Sequence, residues 1–138
     1  AKKIKSLIGQ KAPRETWDTW VRGAGPPPLK TKEGWLVFYH AINKVDSHKY
    51  KLGMMLLDLK NPKKVIARSK TPVLLPDKWY ENDGKPGIVY ACGAVLEKDK
   101  VFVYYGGGDK YSCVASASLK EILDYLKHQG SEPRFNTK

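Results

Sequence analysis

The order of apolar and polar residues predicts strands over most of the chain. Gly34–His40 and Tyr50–Leu59 are rich in β-branched, aromatic and aliphatic residues, and polar turn residues flank them. Lys60-Asn61-Pro62 ends the second run, because proline lacks the N–H group that a strand ladder needs. Further strands or extended segments are predicted at Val65–Arg68, Pro72–Pro76, Gly87–Leu96, Val101–Gly107 and Ser112–Ser118.

One helix is predicted near the end of the sequence. Ser118 is suited to the N-cap, and Glu121, three residues later, completes a capping box. One face of this helix is apolar and contains Leu119, Ile122, Leu123 and Leu126. Gly130 follows at a position that commonly ends a helix.

A weak internal repeat relates two parts of the chain. Trp35–His40 aligns with Val101–Gly106, about 66 residues later, and a loop and a second strand follow each run. A repeat of this length with about four short strands is typical of a β-propeller blade. Two hairpins of any β protein would also resemble each other, so a β fold smaller than a propeller remains an alternative.

Two blades alone would leave sheet faces and edges uncovered, because propeller blades pack face to face and number about four to eight. We therefore expect residues 1–138 to form a single partial β-propeller domain of about two to two and a half blades. The remaining blades would come from another segment or another chain.

Composition and charge narrow the class of protein. The chain is 41% hydrophobic, and no apolar run reaches the roughly 20 residues of a membrane helix. We expect a cytoplasmic protein without a membrane partner. The net charge of +11 raises the hypothesis of a nucleic-acid binder. The basic residues are spread along the whole chain without a recognition motif, so we expect a solvated basic surface and no nucleic-acid partner.

The cysteines and histidines show no metal-ligand spacing. Cys92 and Cys113 do not form a CxxC pair, and the three histidines are scattered. No metal or cofactor is predicted, and the sequence leaves the disulfide state of the two cysteines open.

Three features suggest a binding site, each with a structural alternative. Arg22–Pro28 combines two glycines with three prolines, which suits either a rigid connection between blades or a ligand-facing loop with Arg22 near an anion. His40 ends a predicted strand and has either a structural or an active role. Asp109 follows three glycines and either caps a turn or binds sugar hydroxyls.

The sequence contains no complete catalytic set. Cleavage of a glycosidic bond usually needs two carboxylates, or one acid with an external nucleophile. Four aspartates are available, and their spacing selects none of them as a proton donor: Asp18, Asp46, Asp58 and Asp109.

Three segments in order, from about Trp17 to Leu119, resemble glycoside hydrolase family 130. WDTWVRGAGPPPLKTKEGWLVFYH is similar to the family's W-D-x-x-K-I-G-A-G-P-P-P stretch, which continues to a Y-H pair. YKLGMMLLDLKNPKKV is similar to its Y-R-L-G-x-x-L-L-D-L segment. YACGAVLEKDKVFVYYGGGD resembles its C-G-A-V hairpin with the Y-Y-G-x-x-D ending.

The resemblance implies an all-β fold, namely the C-terminal blades of a five-bladed β-propeller with one short C-terminal helix. It implies an inverting glycoside phosphorylase, in which inorganic phosphate attacks a β-mannoside and releases mannose 1-phosphate. The family's general acid, an Asp, lies in the N-terminal half. No catalytic residue is therefore expected in this chain, which alone would be inactive, and phosphate would serve as co-substrate without a cofactor.

By motif position, the resemblance assigns His40 and Tyr50 to phosphate binding, and Asp109 and Tyr90 to substrate binding. Family phosphorylases often have a phosphate-site Lys where this chain has Val21. Arg22 is the candidate replacement, but it requires the backbone to turn its side chain inward, since neighbours on a strand face opposite sides.

Several functions remain as alternatives. A β-mannoside hydrolase of the same family and a non-catalytic carbohydrate-binding half-propeller stand beside the phosphorylase, and a basic nucleic-acid binder comes last. The expected partners are a β-mannoside oligosaccharide, phosphate, and the missing N-terminal half or another chain. The sequence leaves a homo-oligomer open.

Overall fold

A computed structural model describes residues 16–128 and 132–138, which form two antiparallel sheets and one helix. The first sheet contains β1 (Trp20–Ala24), β2 (Leu29–Lys30), β3 (Trp35–Ile42), β4 (Lys51–Leu57) and β5 (Val65–Arg68). The second contains β6 (Val89–Glu97), β7 (Lys100–Gly107), β8 (Tyr111–Ser118) and β9 (Asn136–Thr137). Helix α1 (Leu119–His128) follows β8, and a short 3₁₀ helix (Trp79–Glu81) precedes β6.

Each sheet is an open meander in which successive strands are neighbours, except that β1 and β2 do not pair with each other. The first has the order β1-β3-β4-β5, and the second has the order β6-β7-β8-β9. Strands β1 and β2 both pair with β3, so together they form one edge that Gly25–Pro28 interrupts. The repeated segments occupy equivalent places, since β3 and β7 are the second strands of their sheets. The prediction of a mostly β protein with one helix near its end is confirmed.

The predicted strands differ from the observed ones where glycine and proline are involved. Pro72–Pro76, predicted as an extended segment, forms no regular strand but contributes a bridge between Leu74 and Leu52. Conversely, strand β1, which the sequence did not predict, overlaps the start of the segment Arg22–Pro28. A register shift between Val21 and Gly23 makes Arg22 the extra residue of a bulge, and Gly23 has a φ of 148°.

The central strands of the first sheet, β3 and β4, are buried on both faces. Alternate side chains of β3 and β4 belong to two separate apolar clusters. One cluster, with Phe38 and Met54, packs against the second sheet, and the other, with Tyr39 and Met55, packs on Trp17 and Val65. The second sheet instead alternates between buried and exposed positions, as in β6 and β7.

The two sheets meet along a seam, defined by contacts among Gly25, His40, Tyr50 and the start of β6. Tyr50 donates a backbone hydrogen bond to Gly87 (2.8 Å) and accepts one from Val89 (3.3 Å), which makes a parallel bridge. The Ala91 N–H donates to His40 Nε2 (2.8 Å). A Cβ atom on Gly25 would lie 2.6 Å from the Ala91 carbonyl oxygen, so only glycine permits this approach.

Helix α1 begins at the predicted cap, and Tyr125, which the sequence analysis did not single out, binds the helix to the chain after β5. Ser118 Oγ accepts from the Glu121 N–H (3.4 Å) and donates to Asp99 Oδ2 (2.8 Å). Tyr125 is buried beside the predicted apolar face, and its hydroxyl accepts from the Lys70 N–H (3.1 Å). The predicted helix end at Gly130 lies outside the described residues, and within them no helix is long and apolar enough to cross a membrane.

Gly53 provides a test of the packing on β4. A Cβ atom there would lie 2.5 Å from Trp17 Cη2 and 2.6 Å from Tyr39 Cζ. We expect Gly53→Ala to lower the free energy of unfolding by about 1–3 kcal/mol, measured by urea denaturation, because the rings must shift. Gly106→Ala is the matched control, since its nearest neighbour would be 3.9 Å away. Equal stability of the two variants would contradict this packing.

Candidate functional site

A cleft of about 230 Å³ lies at one end of the seam. It is lined by Tyr50, Lys85, Ile88, Tyr90 and Asp109. Tyr50 and Ile88, which the backbone bridge joins, both line it, so the joining of the sheets brings two of the lining residues together. Three predicted site residues, from three separate segments, therefore converge: Tyr50, Tyr90 and Asp109.

Asp109 reaches the cleft from the tight turn between β7 and β8. Gly108 and Asp109 both have positive φ, 59° and 54°, and the Lys110 N–H donates to the Gly107 carbonyl oxygen (3.1 Å). Aspartate is among the few residues with a side chain that adopt this left-handed conformation readily. Asp109 is thus part of a turn and also lines the cleft, and the two interpretations of the sequence are compatible.

Tyr90 forms an aromatic wall of the cleft, supported from behind by His40. The two rings stack with centroids 4.2 Å apart and planes 6° from parallel. Tyr90 is 48% exposed, whereas His40 is 1% exposed. Tyr50 lies at a tilt, with its ring centroid 6.3 Å from that of Tyr90. A flat aromatic surface beside a carboxylate is an arrangement suited to a sugar, which offers apolar C–H groups and hydroxyls.

His40 is buried beneath this wall, and its ring is bonded within the chain. Its Nε2 accepts from the Ala91 N–H, and the ring also bonds the backbone of Gly23. Burial lowers the pKa of His40 to about 4, so the ring is neutral at pH 7. A direct contact with phosphate would require the exchange of one of these bonds. The assignment of His40 to phosphate binding stays a prediction.

Arg22 lies outside the residues that line the cleft. It is exposed on the bulge of β1, whereas Val21 packs with the apolar cluster that contains Tyr39. The assignment of Arg22 to phosphate also stays a prediction.

Of the four aspartates considered from the sequence, only Asp109 lines the cleft. Asp18 and Asp46 form ion pairs with basic side chains, at 2.8 and 2.5 Å. Asp58 accepts hydrogen bonds from the backbone N–H groups of Lys60 and Asn61, and these bonds lower its pKa. These three carboxylates therefore stabilise local structure.

Lys85 is a cleft residue that the sequence analysis missed. Its Nζ lies 3.7 Å from Asp109 Oδ2, and both side chains are largely exposed. Such a pair contributes at most about 1 kcal/mol to stability, so its geometry is free to serve a ligand. The backbone N–H of Lys85 donates to Gly108 (2.7 Å), which brings the loop before β6 onto the Asp109 turn. Nothing in the local sequence indicates this tertiary contact.

Glu81, which the sequence analysis also did not identify, binds the same loop through a buried carboxylate. It is 1% exposed, and its two carboxylate oxygens accept from the Tyr105 hydroxyl and the Lys78 N–H, both at 2.8 Å. Burial raises the pKa of Tyr105, so this phenol stays a donor. Glu81 therefore anchors the loop on β7 without lining the cleft.

Comparison with known proteins identifies relatives of the chain. The sequence profile of glycoside hydrolase family 130, described as β-1,4-mannooligosaccharide phosphorylase, matches residues 3–128. The 1,2-β-oligomannan phosphorylase of Thermoanaerobacter sp. (strain X514) is 45% identical over 108 residues, which are 78% of this chain and 36% of that protein. The chain therefore spans about a third of the length of this curated relative.

Solved structures give the same result. The β-1,2-mannobiose phosphorylase from Listeria innocua, in complex with β-1,2-mannobiose, superposes with a TM-score of 0.75 at 39% identity. The match covers 83% of this chain and 32% of that one. A structure described among glycoside hydrolases of the same family, which target β-1,2-mannosidic linkages in Candida mannan, has a TM-score of 0.65 at 28% identity. Its match covers 76% of this chain and 32% of that one.

The buried, neutral His40 predicts a specific dependence of stability on pH. Its folded-state pKa of about 4 lies below the ordinary value of 6.5, so the unfolded chain takes up a proton first as the pH falls. The contribution of His40 is complete above pH 6.5 and is lost as the pH falls towards 4. The full loss is about 3 kcal/mol.

His40→Gln, which retains a side-chain acceptor for Ala91, isolates this effect. We expect the difference in unfolding free energy between wild type and variant to shrink between pH 7 and pH 4.5, measured by urea denaturation. His48→Gln, at an exposed histidine, is the matched substitution. Parallel pH profiles for wild type and His40→Gln would contradict the assignment.

Proposed function

Because this chain belongs to glycoside hydrolase family 130, we propose that a complete protein containing it is a glycoside phosphorylase. It cleaves β-mannosides with inorganic phosphate, inverts the anomeric configuration and releases mannose 1-phosphate. The observation that most supports this proposal is the convergence of Tyr50, Tyr90 and Asp109 on one cleft.

In this proposal, residues 1–138 provide the C-terminal two to two and a half blades of a five-bladed β-propeller, as one partial domain. The two meanders have the strand arrangement of propeller blades. Val95 and Tyr104, on the outer face of the second sheet, are 51% and 47% exposed, which suits a face that packs on a further blade. The N-terminal half or another chain supplies the remaining blades and the general acid.

Each cleft residue then has a distinct role. The Asp109 carboxylate accepts hydrogen bonds from hydroxyls of the mannosyl unit, and Lys85 donates to a neighbouring oxygen. The Tyr90 ring packs on an apolar sugar face, held in position by the His40 ring. The Tyr50 hydroxyl donates a hydrogen bond to phosphate. Arg22 and His40 are the further candidates for the phosphate site.

The reaction itself is a single displacement. A phosphate oxygen forms a bond to the anomeric carbon while the bond to the leaving sugar oxygen breaks. The general acid, an Asp outside this chain, supplies a proton through a mannose hydroxyl to that leaving oxygen. The residues of this chain bind and orient the two reactants, which raises the rate by holding them in reactive geometry.

A β-mannoside hydrolase is the second candidate. Val21, which packs in an apolar cluster, occupies the place of a phosphate-site Lys in family phosphorylases, and one similar structure is described among hydrolases. In that case water replaces phosphate as the attacking group.

Phosphate dependence separates the two candidates. We expect the complete protein to release mannose 1-phosphate from β-1,2- or β-1,4-mannobiose only when inorganic phosphate is present. Chromatography of the products with and without phosphate measures this. If free mannose appears equally fast without phosphate, the protein is a hydrolase.

Asp109→Asn tests the sugar-binding carboxylate, because asparagine also tolerates positive φ and keeps the turn. Loss of a charged acceptor is expected to lower kcat/KM of the complete enzyme for the mannoside about 10- to 100-fold, with an unchanged melting temperature. Asp124→Asn, on the exposed face of α1, is the matched control. Full activity of Asp109→Asn would remove Asp109 from the site.

A further inference from the structure

A second aromatic surface lies beside the cleft, on the same loop as Lys85. Trp79 is 69% exposed, the most exposed aromatic side chain in the described part of the chain. Its ring is fixed by edge-to-face contacts with Tyr80 (5.6 Å, 82°) and Tyr111 (5.3 Å, 75°). We call Trp79, Tyr80, Asp83, Lys110 and Tyr111 the Trp79 platform.

Polar groups surround this ring. Asp83 Oδ2 accepts from the Tyr111 hydroxyl (2.6 Å) and from Lys110 Nζ (3.0 Å). These bonds lower the pKa of Asp83, so the carboxylate is ionised at neutral pH. An exposed, immobilised indole beside a carboxylate and an ammonium offers an apolar sugar face a flat surface and offers its hydroxyls both acceptors and donors.

The platform and the cleft are rigidly linked. Two charge pairs cross the same contact between the loop and the β7–β8 turn: Asp83 with Lys110 on the platform, and Lys85 with Asp109 in the cleft. The Cα atoms of Asp109 and Lys110 are about 3.8 Å apart, as in any consecutive pair. A Cβ atom on Gly84 would lie 2.5 Å from the Gly108 carbonyl oxygen, so the loop and the turn approach more closely here than any side chain at position 84 would allow.

The position of Trp79 differs from that of the apolar sheet face. Val95 and Tyr104 lie on strands of the second sheet, where a neighbouring blade would pack. Trp79 lies instead in the 3₁₀ helix of the loop that also carries Lys85 and Ile88 into the cleft. Asp109 of the cleft and Lys110 of the platform are consecutive residues, so the two surfaces meet at the β7–β8 turn.

We propose that the Trp79 platform is an outer sugar-binding site for the part of an oligosaccharide that extends out of the cleft. The proposal rests on the mannoside specificity given above and adds a determinant of chain length. One pyranose ring lies on the exposed face of Trp79, and its hydroxyls bond Asp83 and Lys110. Longer mannosides gain this contact, whereas a disaccharide is confined to the cleft.

The test compares a disaccharide with a longer substrate. In the complete enzyme, we expect Trp79→Ala to lower kcat/KM for β-1,2-mannotetraose about fivefold or more, and to leave the value for β-1,2-mannobiose within about twofold. Trp79→Tyr keeps a flat ring and should retain most of the preference. Lys110→Met should lower kcat/KM selectively for the tetrasaccharide. Lys63→Met, in an exposed turn of the first sheet, should change kcat/KM for neither substrate.

The outcomes separate this proposal from the proposed function. An equal loss for both substrates, or no loss for either, overturns the platform. If the complete wild-type protein turns over neither the β-1,2-linked nor the β-1,4-linked mannobiose and mannotetraose, the proposed function fails, and calorimetric titration with these sugars then tests the platform alone. Tighter binding of the tetrasaccharide that Trp79→Ala abolishes supports it, and absence of tetrasaccharide binding overturns it.

Accessibility in the complete protein gives an independent readout. Iodide should quench a tryptophan signal that is present in wild type and absent in Trp79→Phe, and mannotetraose should protect that signal. If the signal is shielded from iodide without sugar, the rest of the protein covers Trp79, and the proposal is wrong.

Discussion

The hydrogen bond from the Ala91 N–H to His40 Nε2 is the interaction on which the arrangement of the two sheets depends. It requires a neutral imidazole in a buried place, and burial supplies that condition by lowering the pKa of His40. Gly25 is part of the same requirement, because any side chain there would meet the Ala91 carbonyl and the His40 ring. The ring of His40 also supports Tyr90. His40 therefore contributes both to the joining of the two sheets, together with the Tyr50 bridge, and to the orientation of one wall of the cleft.

The central strands of the first sheet are more deeply buried than those of the second. Strands β3 and β4 are covered on both faces, and their sequences accordingly lack strict alternation of apolar and polar residues. The second sheet alternates, because its outer face has no cover among the described residues. A mixed outer face with Val95, Tyr104 and the exposed Cys92 resembles an interface more than an ordinary polar surface. The cleft residues lie at strand ends, namely Tyr50 before β4, Tyr90 near the start of β6 and Asp109 after β7. A site can therefore form at the seam while the faces of the sheets pack on their neighbours.

Local patterns predicted most of the secondary structure, and tertiary contacts determined what they missed. Runs of β-branched, aromatic and aliphatic residues and the Ser118 cap were sufficient to predict β3 to β8 and α1, since each depends on residues that are close in sequence. Strand β1 was missed because glycines normally weaken a strand, whereas here Gly23 permits the bulge and Gly25, just after the strand, permits the close approach to Ala91. Motif resemblance selected three of the cleft residues, but it could not select Lys85. The role of Lys85 follows from a hydrogen bond to Gly108, which no spacing in the sequence encodes.

The loop from Trp79 to Ile88 then explains why the cleft and the aromatic surface occur together. Its buried Glu81 uses both carboxylate oxygens to bind β7 and the start of the 3₁₀ helix. With that point fixed, Asp83 and Lys85 lie on opposite sides of Gly84, and each pairs with a residue of opposite charge on the β7–β8 turn. The order Asp-Gly-Lys at 83–85 is thus complementary in charge to Asp-Lys at 109–110. Between the two pairs, the backbone hydrogen bond from the Lys85 N–H to Gly108 and the close approach of Gly84 hold the loop on the turn, so one contact positions both surfaces.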